Sequence, residues 1–579
     1  MSHPNGPRTG RPPTYAPRGA VATSHHLASA SGLDVLRRGG SAVDAAIAAN
    51  AVLSVAYPHM AGLGGDGFWL IHGPGEDGVR ALNASGPAAR AASREYYREH
   101  GHEDGIPERG APAALTVPGA VDGWREAHER YGRLDWDQLF QDAIRYAREG
   151  VPVGRSLADW LVADVPVLME HRSAGRIFLP DGRPPREGEV LVQQDLARTL
   201  ERLAGHGARG GFYQGETAER ICDDLGRDGS PLRPEDFAGY HAEWVEPITT
   251  EYRGHTVVEF PPNTQGFAAL QILNLIEGYD VAAWGDGTAD YYHHMAEAVK
   301  LAFADRDAWL TDPAFVDIPL DRLVSKEYAA ERRAMIDAEC ARIMEEVEPG
   351  VPFDPSAFQD EAALRRAADG GTADRHRRGP RGTRRRPGAG DTCYFCVVDE
   401  AGLAVSVIQS IYHDFGAAVV GGDTGIVLQN RGSFFELDDT HPNRLEPGKR
   451  TFHTLIPAML LRDGEPYLVY GTMGGEGQPQ THAAMVTRIV DFGYDVQQAI
   501  EAPRWLMGRT WGVASRDLSL EGRVPDEVVR ELVRRGQPVK MLPDWDDNMG
   551  HAQAIRIDRE ARLLEGGADP RGDGAALGF

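Results

Sequence analysis

The chain has 579 residues, 42% hydrophobic and 25% charged, with a formal net charge of -25 at pH 7. This is an ordinary globular composition, too long for one common domain unless its elements stack in extended layers. The acidic balance argues against nucleic acid as a partner for the body of the protein. Four cysteines are no disulfide framework, and no stretch approaches the ~20 apolar residues that span a bilayer.

Met1 to Arg18 is rich in Pro, Gly and Arg and lacks the apolar run of a secretory signal. The expectation is a disordered segment 1–18 on a cytoplasmic protein, with order beginning at Gly19. Ala20 to Ser24 reads as a short strand. His25 to Arg38 has helical spacing in Leu27, Leu33, Val35 and Leu36 and stops at Gly39-Gly40. Ser41 caps a helix over Ala42 to Val55, whose alanine-rich surface predicts burial. Gly62-Leu-Gly-Gly-Asp-Gly67 then leads into a strand at Phe68 to Ile71. Helices and loops run to about residue 245. A strand is expected at Thr256 to Phe260, followed by Pro261-Pro-Asn-Thr-Gln-Gly266 and a long helix over Tyr291 to Trp309.

The composition breaks between about Glu345 and Gly390, where Arg375 to Arg386 is dense in Arg among Gly, Pro, Ala and Thr. That reads as a flexible linker over 346–391 rather than a nucleic-acid arm, because it has no interleaved aromatics. At Asp391 the pattern changes. Thr392 to Asp399 and Leu403 to Ile411 read as a hairpin around Glu400-Ala-Gly402. Cys393 and Cys396 form a C-x-x-C, but residues three apart on a strand face opposite ways and no second pair completes a zinc site. Further strands are expected at Gly425 to Leu428, Ala458 to Leu461 and Tyr467 to Tyr470, with a helix over Thr481 to Phe492.

A threonine at a chain terminus carries its own base. The reference pKa of an α-amine is about 7.7–8.0, so it can take the hydroxyl proton near neutral pH. Attack of the Thr392 hydroxyl on the Asp391 carbonyl, followed by ester hydrolysis, would create that terminus. The glycines of Gly388-Ala-Gly-Asp-Thr392 suit the strained geometry of the acyl shift. Taken alone, a threonine after a loop is usually just the first residue of a strand. Gly471-Thr-Met-Gly-Gly-Glu-Gly477 after a strand offers consecutive N–H groups for an oxyanion. A lone glycine-rich loop also makes turns or binds phosphate, although this one lacks a Walker lysine.

Several motifs resemble, in order, the small subunit of the γ-glutamyltransferase family. They are Asp391-Thr-Cys-Tyr-Phe-Cys-Val-Val-Asp399, Gly421-Gly-Asp-Thr-Gly-Ile426, Leu428-Gln-Asn-Arg431, Pro447-Gly-Lys-Arg-Thr-Phe-His-Thr-Leu-Ile-Pro457 and Gly471 to Gly477. Leu36 to Ala46, Pro58 to Gly65, Val117 to Val121 and His293 to Arg306 resemble large-subunit signatures. The resemblance covers about residues 19 to 560. It implies an α/β (α+β) class fold, a four-layer αββα N-terminal-nucleophile hydrolase sandwich. It implies self-cleavage between Asp391 and Thr392 into a large subunit with its core at 19–345 and a small catalytic subunit at 392–579. It also implies Thr392 as nucleophile, Ser410 as the hydroxyl that orients it, and Gly474 and Gly475 as the oxyanion pair.

The substrate-recognition positions depart from the family. Ser85 stands where an arginine grips the glutamyl α-carboxylate, and Phe434 where an acidic residue grips the α-amine. His453 and Thr454 replace a serine pair, and Thr392-Cys-Tyr394 replaces Thr-Thr-His. Losing charged hydrogen bonds of about 1.5–3 kcal/mol each argues against a γ-glutamyl substrate. The pattern resembles a subgroup that includes oxamate amidohydrolases. It implies a small or non-glutamyl amide as substrate, with Ser85, Asn430, Arg431, Phe434, His453 and Thr454 as the substrate-binding set. Arg431 is equally readable as a surface ion pair and His453 as a core histidine. The competing expectations are a γ-glutamyltransferase or glutathione hydrolase, and an uncleaved non-catalytic homologue. The resemblance implies no metal and no organic cofactor. The partners implied are the substrate, the two fragments of one precursor and a possible homo-oligomer, with neither nucleic acid nor membrane.

Overall fold

The computed structural model describes residues 10–350, 390–508 and 515–579. Two seven-stranded sheets form its centre. The first runs in the order Ala575–Gly578, Ala20–Thr23, Gly390–Val398, Ala404–His413, Asp66–His72, Arg80–Ala84 and Glu243–Val245. The second runs Thr14–Ala16, Leu563–Ala568, Ala552–Asp558, Glu465–Thr472, Ala458–Arg462, His255–Glu259 and Ile248–Tyr252. Every neighbouring pair in both sheets is antiparallel. Each sheet mixes strands from before and after residue 390, so one fold needs both parts of the chain.

Three apolar cores account for four layers. Between the sheets, Phe68, Leu70, Tyr394 and Ile408 meet Val258, Phe260, Met459 and Val469. Outside the first sheet, Trp69, Phe395 and Val407 pack against the helix Ala42–Ala56. Outside the second, Leu460 and Tyr470 pack against Gly266–Ile276, Ala289–Trp309 and Gln478–Val490. This is the αββα sandwich. The period-two alternation of a strand sends Cys393 to the helix side and Cys396 between the sheets, and neither is in a disulfide.

Local chemistry fixes the elements. Ser41 Oγ accepts from Asp44 N at 3.0 Å while Asp44 Oδ2 accepts from Ser41 N at 2.9 Å. That capping box starts a helix whose every residue is buried.

Four expectations are corrected. Order precedes Gly19: Thr14–Ala16 is an edge strand paired with Leu564–Gly566, and Thr14 Oγ1 donates to Ala576 O at 2.8 Å. Gly425 to Leu428 makes only the isolated bridges Val420–Val427 and Gly64–Leu428. The positive φ of Gly416, Ala418, Gly422 and Gly425 breaks the extended backbone that a full ladder needs. The strand holding Thr392 begins earlier, at Gly390. The helix expected from Thr481 starts at Gln478, with Pro479 in its first turn. Of the linker expected over 346–391, residues 351–389 lie outside the described residues. The part before them is docked: Val347 packs in the outer core and Gly350 N donates to Asp305 Oδ1 at 2.7 Å.

Candidate active site

The strands Gly390–Val398 and Ala404–His413 lie at the middle of the first sheet. Asp391 pairs with Tyr412 and Cys393 with Gln409, so Thr392 alone faces both Ser410 and Ile411. That is a β-bulge, a device that re-aims side chains beside functional sites. Thr392 is buried. Tyr412 has a φ of 79°, a left-handed value that costs a non-glycine residue strain. Its N–H donates to Ser410 Oγ at 2.8 Å.

Arg431 opens a short 3-10 turn, Arg431–Phe434, and its side chain is buried. Its Nη2 donates to Ser410 Oγ at 3.4 Å and its Nη1 to Thr454 Oγ1 at 3.3 Å. The Tyr412 ring covers the guanidinium at 4.4 Å and the Phe434 ring lies 5.4 Å away. Phe434 in turn meets Tyr412 at 4.5 Å and Phe452 at 4.7 Å, forming an aromatic wall. Among the described residues no carboxylate forms an ion pair with Arg431. Burial pushes its pKa down to about 10.

His453 Nδ1 accepts from Leu455 N at 3.4 Å, so the ring proton sits on Nε2, 3.4 Å from Asp66 Oδ2. Burial and then the Arg431 charge hold this imidazole well below the usual histidine range, so it is neutral. Asp66 Oδ1 accepts from Gly86 N at 3.1 Å and Gly119 N at 3.0 Å. Burial pushes its carboxyl up to about 7.

The glycine loop follows the strand Glu465–Thr472 directly. Gly474 and Gly475 have φ of 138° and 51°, conformations that only glycine adopts without strain. The loop then enters the helix Gln478–Val490.

A family pattern for gamma-glutamyltranspeptidase matches residues 28–579. The chain belongs to that family. It is 43% identical over 559 residues to the glutathione hydrolase-like YwrD proenzyme of Bacillus subtilis, covering 96% of this chain and 98% of that one. It is 42% identical over 567 residues to the oxamate amidohydrolase proenzyme of Klebsiella pneumoniae, covering 97% and 98%. Among solved structures, a cephalosporin acylase from Bacillus halodurans superimposes with a TM-score of 0.87 at 37% identity, covering 100% and 98%. The protein is thus an enzyme of N-terminal-nucleophile hydrolase fold.

Within this gamma-glutamyltranspeptidase-family site, Ser410, Arg431 and Thr454 are joined directly by hydrogen bonds. Ser85 is joined to them only indirectly. Its hydroxyl donates to Asn83 Oδ1 at 2.7 Å, and Asn83 Nδ2 reaches Asn263 Oδ1 at 3.1 Å. Asn263 O then accepts from His453 N at 2.8 Å. Asn430 has both ends of its amide on backbone groups: Oδ1 accepts from His413 N at 3.0 Å and Nδ2 donates to Glu108 O at 2.8 Å. It therefore fastens a loop to the strand end instead of presenting its amide to the cleft. Asp391 contributes its backbone pairing alone, its side chain lying outside the described residues. Asp66, Asn263 and Gln265 were not among the sequence candidates. An acid inside the glycine-rich run Gly62 to Gly67, just before a buried strand, was the available signal for Asp66. Among the described residues no group of three His, Cys, Asp or Glu side chains could hold a metal ion, and no helix is long and apolar enough to cross a membrane.

Proposed function

We propose that the protein is a self-processing threonine amidohydrolase whose substrate is a small amide bearing a carboxylate close to the scissile carbonyl. Its precursor is divided between Asp391 and Thr392 into a large fragment whose fold begins with the strand Thr14–Ala16 and a catalytic fragment at 392–579. Thr392 Oγ attacks the Asp391 carbonyl, the peptide C–N bond breaks, and the ester formed is hydrolysed. The products are a carboxyl group on Asp391 and a free α-amine on Thr392. Proenzymes among the relatives support this maturation. In turnover, the Thr392 α-amine takes the hydroxyl proton as Oγ attacks the amide carbonyl. Gly474 and Gly475 N–H groups hold the oxyanion. The leaving ammonia carries the proton away, and water hydrolyses the acyl-enzyme.

The observation that carries the substrate class is Arg431. It is a buried cation with no ion-pair partner among the described residues, and it donates to the hydroxyl that faces Thr392 across the bulge. Asp66 gives this cation only a partial counter-charge, because burial holds its carboxyl up at about 7, and a substrate carboxylate completes the compensation that a buried charge needs. Arg431 donates to Ser410, which the strand register sets opposite Thr392, and this supports a carboxylate close to the reacting carbonyl, as in oxamate. A γ-glutamyl group places its carboxylate farther away and needs a second grip on its amine, where Phe434 offers only an aromatic face.

The test sets ammonia release from oxamate against chromophore release from a γ-glutamyl anilide, using the cleaved protein. Oxamate turnover exceeding glutamyl turnover is expected. Turnover of the glutamyl substrate alone would overturn the proposal.

A further inference from the structure

Gln265 precedes the helix Gly266–Ile276 and is wholly buried. Its Nε2 donates to two carbonyls at once, Thr454 O at 2.8 Å and Gly475 O at 2.9 Å. Its Oε1 accepts from Arg306 Nη1 at 3.0 Å. Its backbone N–H donates to His453 O at 3.1 Å. Turning the amide over would set an oxygen against two carbonyl oxygens and a nitrogen against a guanidinium, so Arg306 fixes its orientation. Arg306 is held in turn: it pairs with Asp307 at 2.7 Å and stacks on Phe303 at 3.8 Å.

The two carbonyls belong to different working parts of the cleft. Gly475 is in the glycine loop, and Thr454 carries the hydroxyl that Arg431 touches. We infer that Gln265, oriented by Arg306, is a positioning residue that sets the spacing between the oxyanion loop and the carboxylate-binding arm. This rests on reading Gly474-Gly475 as the oxyanion loop and Arg431 as the carboxylate anchor. Gln265 and Arg306 precede the proposed cut and their two targets follow it, so the N-terminal fragment holds the catalytic geometry of the other. An amide tied to both parts stabilises the arrangement in which a short substrate has its carboxylate on Arg431 and its carbonyl oxygen at the loop. That arrangement matters most in the transition state, when the oxyanion hole is fully engaged.

The experiment measures kcat and KM for oxamate, per mole of free N-terminal Thr392, in Gln265→Met, Arg306→Met and Arg306→Lys. Losing a direct oxyanion donor costs about 100- to 1,000-fold in kcat, and losing its support should cost about 10- to 100-fold. Gln265→Met and Arg306→Met are expected to show that fall with KM changed less than about 3-fold. Arg306→Lys, which still donates to Gln265 Oε1, should recover most of it. Unchanged kcat in both methionine variants would overturn the inference, as would a loss confined to KM or a lysine variant no better than Arg306→Met. If Gln265→Met does not mature, the Arg306 pair decides alone by the same criteria. Thr392→Ala separates the two levels. Activity surviving in it removes the underlying site, whereas a dead Thr392→Ala beside a fully active Gln265→Met removes only the role of Gln265.

Discussion

His453 Nε2 lies 3.4 Å from Asp66 Oδ2, joining segments 387 residues apart. The imidazole is the donor, because its Nδ1 already accepts from Leu455 N. Two neutral-leaning groups thus sit beside the buried Arg431 guanidinium. Burial pushes Asp66 up to about 7, while His453 is held well below its usual range. Tyr213 and Tyr240, which also feel Asp66, are pushed well above 10. Asp66 is therefore the member of this group that titrates near neutrality.

A pH dependence follows with a definite sign. In the unfolded chain Asp66 ionises near 3.8, and in the fold near 7. Below 3.8 it is protonated in both states and carries no penalty. As pH rises from about 4 to about 7 the unfolded state is favoured progressively, and above 7 the full desolvation cost remains. Asp66→Asn keeps an acceptor for Gly86 and Gly119 and should flatten this decline in urea-unfolding stability. Ionised Asp66 also weakens the field of Arg431, so KM for an anionic amide should rise through about pH 7 in the parent and stay level in Asp66→Asn. A KM that rises equally in both would show that another group titrates.

Arg431→Met separates function from stability. Removing a charged hydrogen-bond donor to a carboxylate costs about 1.5–3 kcal/mol, a KM increase of roughly 10- to 150-fold for oxamate. Removing a buried cation without an ion-pair partner among the described residues should leave the melting temperature unchanged or raise it. A variant that melts lower and binds as before would mean that Arg431 is structural.

The individual elements around Thr392 were legible because they depend on local signals, whereas the four-layer sandwich was implied only by the resemblance of the motifs to the γ-glutamyltransferase family. A continuous apolar run marked Cys393 to Val398, an alanine-rich run marked the helix at Ala42–Ala56, and glycines marked the loop at Gly474-Gly475. What the sequence could not carry were bonds between distant segments. Nothing in the run around Asn430 discloses that Glu108 and His413 occupy its amide. The link from Gln265 to Gly475 spans 210 residues. Asp66 carries no signal within Gly62 to Gly67 beyond being an acid there, and only the strand register sets it opposite Ser410. The edge strand Thr14–Ala16 was missed because its Pro- and Gly-rich flanks mask three residues whose order comes from pairing with Leu564–Gly566.

Thr392→Ala should remain one chain on a denaturing gel and lose at least about 10³-fold in activity, since the nucleophile and its base are removed together. Thr392→Ser keeps a hydroxyl and should still divide before position 392, with a new amino-terminal serine visible by mass spectrometry. Division of the alanine variant at the same bond would rule out attack by the Thr392 hydroxyl.

Asn430→Ala distinguishes fastening from substrate contact. The buried His413 N–H and the carbonyl of exposed Glu108 would each lose a partner. An unsatisfied buried group costs about 1–3 kcal/mol, and the Glu108 carbonyl can turn to water instead, so a net loss of roughly 1–2 kcal/mol is expected. Denaturant unfolding of the cleaved protein would show it as a lower midpoint at unchanged slope. Because the amide faces backbone and not the cleft, KM for oxamate should move less than about 2-fold at temperatures where the variant is folded. A large rise in KM with the unfolding midpoint unmoved would return Asn430 to the substrate-binding set that its place beside Arg431 first suggested.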